Sequence, residues 1–197
     1  MHMNIDKEGW CQEAKRLVSP NQNERPLNQT IDLLVIHNIS LPPGEFGGHC
    51  IVDLFLNRLD CNRHPFFEQL RSLKVSSHFL IDRDGALIQF VSTEKRAWHA
   101  GVSSYRGRTG CNDFSIGIEI EGTDYEPFMA AQYDTLVLLT EALCQRYPLQ
   151  AVTGHQHIAP ERKTDPGPFF NWARYQEKLE KTGGLISRTV PFEFWIT

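Results

Sequence analysis

Short apolar runs bounded by polar or turn-forming positions organise the chain. Asp32-Leu33-Leu34-Val35-Ile36-His37 is a continuous run rich in β-branched residues, the pattern of a strand buried on both faces, and it ends on His37-Asn38. Ser115-Ile116-Gly117-Ile118-Glu119-Ile120-Glu121-Gly122 predicts a second central strand with acids inside it. Period-2 alternation puts Glu119 and Glu121 on one face and Ile118 and Ile120 on the other. Ala151-Val152-Thr153 predicts a short strand leading into His155, and Ser77 to Ile81 with Ala86 to Ser92 predict a hairpin turning at Asp84-Gly85. The longest helix is expected over 129–146, where Tyr133, Leu136, Val137, Leu143 and Cys144 recur on one face. Shorter helices are expected over 9–18, 65–73 and 172–179, the last with Asn171 as N-cap. Strands interleaved with helices define a mixed α/β layered domain.

Two Gly/Pro-rich stretches interrupt this pattern, 40–62 with one helical turn over 51–57, and 97–112. Loops of such length are usually functional, and 40–62 is expected to act as a lid. With 197 residues the chain is expected to be one domain over 30–181, preceded by an extension (1–29) packed on it. A tail (182–197) follows, apolar at Phe192, Phe194, Trp195 and Ile196 and expected to dock.

The net charge of −4 and the lack of a basic stripe argue against a nucleic-acid binder. Five scattered cysteines with no C-x-x-C pair fit neither a disulfide framework nor a four-cysteine zinc site, which points to a reducing compartment. The first residues lack a basic region followed by an apolar one, and no run reaches membrane-span length, so a cytoplasmic location is expected.

Chemistry concentrates at His37 and in the stretch from Gly154 to Gly167, which packs two imidazoles, acids, bases and helix breakers together. A catalytic zinc keeps three protein ligands and one open position, and His37, His155 and Asp165 would supply a His2-Asp set. No H-E-x-x-H pair is present, so such ligands must converge from different strand ends. The alternative is Asp165 paired with Lys163 or Arg162 on a solvated loop. Glu119 must face either solvent on an edge strand or a polar pocket, because a buried carboxylate without a partner is costly. Facing such a centre, it could serve as general base, a role worth roughly 10² to 10⁴ in rate. Lys163 would then stabilise the oxyanion.

Five ordered blocks carry a resemblance: Val35-Ile36-His37-Asn38, Ser77 to Asp82, Ala97-Trp98-His99-Ala100-Gly101, Cys111 to Glu119, and Gly154-His155 through Lys163-Thr164-Asp165-Pro166-Gly167. Together they are similar to the zinc N-acetylmuramoyl-L-alanine amidases over about residues 30 to 180. The resemblance implies a peptidoglycan-recognition-like fold: a single mixed sheet flanked by helices. It implies a cytoplasmic, cell-wall-recycling enzyme that cleaves the amide between the lactyl group of 1,6-anhydro-N-acetylmuramic acid and L-alanine. It further implies Zn2+ on His37, His155 and Asp165, with Glu119 as catalytic acid/base and Lys163 as transition-state cation. The expected substrate is a small anhydromuropeptide bound by a monomer, with no nucleic-acid or membrane partner. Asn38, Lys74 and Trp98 match positions that contact peptide and sugar.

Where family members carry an arginine just before the Cys-Asn-Asp block this chain has Gly110, and Arg108 or Arg106 is the candidate for the same stem-peptide carboxylate. Two other readings stay open: an amidase of intact peptidoglycan, and a muropeptide-binding module without catalysis. His157 is expected as a supporting loop residue, His78 as core or support, Trp98 and His99 alternatively as packing residues, and the cysteines as small buried hydrophobes.

Overall fold

In the computed structural model, residues 2–183 and 191–196 are described. Two short segments, β1 (Lys15–Arg16) and β2 (Gln22–Asn23), precede the long strand β3 (Leu33–Ile39). Helix α1 (Cys50–Phe55) and a 3₁₀ segment (Pro65–Leu70) follow, then the hairpin β4 (Phe79–Ile81) and β5 (Leu87–Gln89). Next come β6 (Arg96–Ala97), a ribbon of β7 (Ser104–Tyr105) and β8 (Arg108–Thr109), and the second long strand β9 (Ser115–Glu121). Helix α2 (Ala130–Arg146), β10 (Ala151–Gly154), α3 (His155–Ile158), α4 (Trp172–Lys181) and β11 (Glu193–Phe194) complete the order.

The main sheet runs β1-β5-β4-β9-β3-β10-β11. Its pairs are parallel except the β4·β5 hairpin, so it is a mixed sheet. The apolar runs make β3 and β9 central because only burial on both faces removes so many β-branched side chains from water. Leu33, Leu34, Val35 and Ile36 are all fully buried. Alternation then sorts the faces: Leu34, Ile36, Ile116, Ile118 and Ile120 pack with Leu136, Leu139 and Leu143 of α2. Leu33 and Val35 point the other way, with Ala100, Cys111, Phe114 and Ile158. His37 continues this second row and Glu119 sits in the matching row of β9, so both polar groups emerge on the face away from α2. A second apolar cluster, built from α1, Phe67, Leu80 and Phe90, covers another part of the sheet.

Residues 9–18 are not helical. Asp6 Oδ1 accepts from the Glu8 and Trp10 N–H groups, Gly9 adopts φ +79°, and Ile5 bridges to Cys11. Lys15 and Arg16 then pair in parallel with Ile88 and Gln89. A two-turn helix gains little alone, whereas the open edge of β5 offers backbone partners at once. The segment expected as a helix over 65–73 is a 3₁₀ run instead, with His64 Nδ1 accepting from the Phe66 N–H at its start. Asn171 caps α4 by accepting from the Arg174 N–H at 2.8 Å. Within the tail, residues 184–190 and 197 lie outside the described residues; Phe194 packs on Tyr175 and Trp195 meets Tyr105 edge-on. No helix among the described residues is long and apolar enough to cross a membrane.

Candidate metal centre

His37 lies near the C-terminal end of β3, and His155 opens α3 directly after β10, the parallel neighbour of β3. Asp165 is brought back by its carbonyl, which accepts from the Gln156 N–H at 2.8 Å. His37 Nδ1 is 3.0 Å from His155 Nδ1 and 2.9 Å from Asp165 Oδ2, and His155 Nδ1 is 3.1 Å from Asp165 Oδ2. Both imidazoles are buried.

Two nitrogens and one carboxylate oxygen within 4.8 Å of one another match the ligand types and number of a catalytic zinc. The protonation states fit as well. His155 Nε2 is 3.0 Å from the Ala100 carbonyl oxygen, which accepts, so Nε2 holds the proton and Nδ1 presents a lone pair. Burial, and then the field of His155, push His37 down to about 4, leaving it in the neutral form that ligates metals.

Glu119 stands beside this cluster as the register partner of His37. It sits on a central strand at 8% exposure, so the wet-edge alternative is excluded. Burial first, then the charge of Asp165, raise its carboxyl well above the usual value, against the opposing pull of Lys163. Glu119 Oε2 is buried with no hydrogen-bond partner among the described residues. An orphaned acceptor of this kind needs a polar partner from the cavity. That cavity, of about 330 Å³, is lined by His37, His155, Asp165, Glu119, Lys163 and Asn38, with Trp98 and apolar residues of 39–75 forming further walls. Glu121, two residues along the same row, does not line it: its carboxylate accepts from the Gly47 and Arg83 N–H groups at 2.8 and 3.1 Å.

The substrate-contact candidates separate. Asn38 lines the cavity, and its amide donates to Asp124 Oδ1 and the Pro166 carbonyl. Trp98 also lines it, its indole N–H donating to Asn23 Oδ1. Lys74 is exposed and does not line the cavity. Arg108 does not either: its guanidinium pairs with Asp32 at 2.7 Å and stacks on Phe114. Arg106 is paired with Glu193, and Gly110 itself takes φ +71°. His157 turns away from the cluster, its Nδ1 accepting from the Gly154 N–H.

Several supporting roles escaped the sequence reading. Asn112 Oδ1 accepts from both the His99 and Ala100 N–H groups, at 3.1 and 2.8 Å. His99 Nδ1 is 2.9 Å from His37 Nε2. Arg162 donates to the Ala100 and Val102 carbonyls. Arg25 reaches four carbonyls of 93 and 112–115. The Trp-His-Ala-Gly and Cys-Asn-Asp blocks were the available signal, but without the tertiary fold nothing linked them.

A mixed sheet with a His2-Asp cluster and an acid at its strand ends has the make-up of a metal-assisted hydrolase, and comparison places it. The family model for N-acetylmuramoyl-L-alanine amidase matches residues 27–168, so the chain belongs to that family and is an amidase. Within it the chain is similar to the 1,6-anhydro-N-acetylmuramyl-L-alanine amidase AmpD of Citrobacter freundii, 58% identical over 171 residues, 86% of this chain and 91% of the relative. The crystal structure of a selenomethionine AmpD derivative superposes with a TM-score of 0.86 at 56% identity, covering 89% of this chain and 98% of that one. The Escherichia coli amidase AmiD, solved with anhydro-N-acetylmuramic acid-L-Ala-D-γ-Glu-L-Lys as substrate, aligns at a TM-score of 0.57 and 28% identity, covering 89% of this chain and 65% of that one.

Proposed function

We propose that this amidase hydrolyses the amide joining the lactyl group of 1,6-anhydro-N-acetylmuramic acid to L-alanine, releasing the stem peptide, with zinc held by His37, His155 and Asp165. The observation that carries the reading is the meeting of three metal-type donors with an orphaned, proton-hungry carboxyl, Glu119, in one cavity. The names and substrates of the AmpD and AmiD relatives support the choice of amide.

Zinc, when bound, supplies a Lewis acid for the carbonyl oxygen and acidifies water. The chain supplies the rest. Glu119, its carboxyl raised by burial and by the charge of Asp165, accepts the proton of the attacking water and returns it to the leaving amine. Lys163 places a positive charge in the same cavity, where an oxyanion developing on the carbonyl gains most from it. Asn38 and Trp98 are the proposed contacts to substrate, and Leu54, Phe55, Phe66 and Leu70 form an apolar wall that limits water around the reacting bond. In the same reading the enzyme is a cytoplasmic monomer acting on wall fragments destined for reuse.

Metal-assayed protein incubated with anhydromuramyl tripeptide and, separately, with intact sacculi tests this by mass spectrometry. Free tripeptide from the anhydro substrate, lost with chelator and restored by zinc, is expected. Release from sacculi would move the reading to a wall hydrolase, and zinc binding without product would leave a muropeptide-binding module.

A further inference from the structure

The geometry points to His99 as a positioning residue: it takes the Nε2 proton of His37 and so holds the Nδ1 lone pair of His37 toward the metal. This rests on the metal reading of the site above, and it adds to that reading the source of the ligand's tautomer.

The direction of each bond follows from a carbonyl at the far end. Ser115 Oγ lies 2.6 Å from the Cys111 carbonyl oxygen, and since a carbonyl accepts, the single Ser115 hydroxyl proton goes there. Toward His99 Nε2, 3.2 Å away, Ser115 Oγ therefore accepts, and His99 Nε2 carries its ring proton. In the neutral ring this leaves a lone pair on His99 Nδ1, 2.9 Å from His37 Nε2, which must then donate. His37 Nδ1 is left with a lone pair, facing His155 Nδ1 and Asp165 Oδ2.

The surroundings hold His99 in this pose. A Cβ at Gly117 would lie 2.5 Å from both Cγ and Nδ1 of His99, so the ring occupies the space where a side chain of β9 would stand. Ser115, Gly117 and Glu119 alternate on one face of β9, which thus supplies in sequence the ring's acceptor, its seat and the proton acceptor of the reaction. Asn112 fixes the backbone of His99 and Ala100, and the Ala100 carbonyl takes the Nε2 proton of His155. One dipeptide therefore sets the tautomer of both imidazole ligands, one through a side chain and one through a carbonyl. Outer partners of this kind typically change metal affinity or activity by about 10- to 100-fold when removed.

The test compares wild type with His99→Phe, His99→Gln and Asn112→Ala. Zinc affinity is read by chelator competition, and the imidazole tautomers by ¹⁵N NMR of the metal-free protein. His99→Phe is expected to lose ~10- to 100-fold in zinc affinity and to lose the Nε2–H tautomer of His37. His99→Gln, whose amide oxygen can accept the same proton, should recover much of both. Asn112→Ala gives a milder loss in the same direction without altering the ring. Unchanged zinc affinity together with an unchanged His37 tautomer in His99→Phe would overturn the proposal. If wild type itself takes up no zinc, the metal reading fails, and the tautomer spectra still decide the role of His99.

Discussion

His37 and Glu119 are register partners across the parallel β3·β9 pair, so the backbone ladder itself sets a metal-type imidazole beside a carboxyl whose Oε2 has no partner among the described residues. Neither side chain relies on a loop for its place. Sites mounted on rigid strands hold their geometry more closely than sites on loops, which suits a reaction that needs a proton acceptor next to a metal.

Replacing Glu119 by Gln keeps size and hydrogen-bonding capacity while removing the proton acceptor. Turnover of anhydromuramyl tripeptide is expected to fall by roughly 10² to 10⁴, while zinc content by metal analysis stays at the wild-type level. An active, zinc-loaded E119Q enzyme would remove Glu119 from the chemistry.

Removing a ligand should instead separate stability from zinc. At a free zinc concentration about 100 times Kd, binding stabilises the native state by about 2.7 kcal/mol. For a domain of this size that is a rise of about 5–10 °C in Tm. Thermal unfolding of wild type with and without zinc should show this rise, and Asp165→Ala should show almost none of it. An equal rise in both proteins would place the metal elsewhere.

The metal-free protein is expected to weaken in acid. His37, pushed down to about 4, and His78, held well below its ordinary value by burial and then by Arg25, are both neutral when folded. Unfolded, each titrates near pH 6.5. As pH falls below about 6.5, the unfolded chain binds protons that the native state refuses, and stability drops. The His37 contribution is complete near its folded value of about 4, while that of His78 continues lower. Glu119 works in the opposite sense: its raised carboxyl costs stability as pH climbs above the ordinary carboxylate value. Urea midpoints between pH 4.5 and 8 should therefore show a flatter acid side for His78→Gln, and a metal-free E119Q protein more stable than wild type at neutral pH. An acid limb identical in His78→Gln and wild type would exclude His78 as a contributor.

Arg25 ties the support of the site together. Its guanidinium donates to the carbonyls of Asn112 (3.0 Å), Asp113 (2.9 Å), Thr93 (3.2 Å) and Ser115 (2.9 Å). Burial pushes it down only to about 10, so it stays charged at neutral pH. Arg25→Met leaves these carbonyls unpaired at about 1–3 kcal/mol each when fully buried. A stability loss of at least ~3 kcal/mol, or roughly 6–12 °C in Tm, is expected by calorimetry. Because Asn112 and Ser115 support His99, zinc affinity should fall with it. A variant as stable as wild type would show that water replaces the guanidinium.

What the chain states locally, it states well. The β-branched runs around Val35 and Ile118, the Asp84-Gly85 turn of the hairpin, the apolar face of 129–146 and the Asn171 cap are all present in the structure, because each depends on neighbours a few positions away. The ordered blocks also carried the family, and with it His37, His155, Asp165, Glu119 and Lys163 as candidates. Residues 9–18 went the other way: a short helix gave place to strand β1, because the open edge of β5, more than seventy positions on, supplies the backbone partners. The same non-locality hid Arg25 and the pairing of Arg108 with Asp32. Apolar periodicity is a property of a segment. The proton on an imidazole is not: for His37 it is decided through His99 and Ser115 by the carbonyl of Cys111, groups that meet only when two parallel strands and the 97–112 loop close on one another.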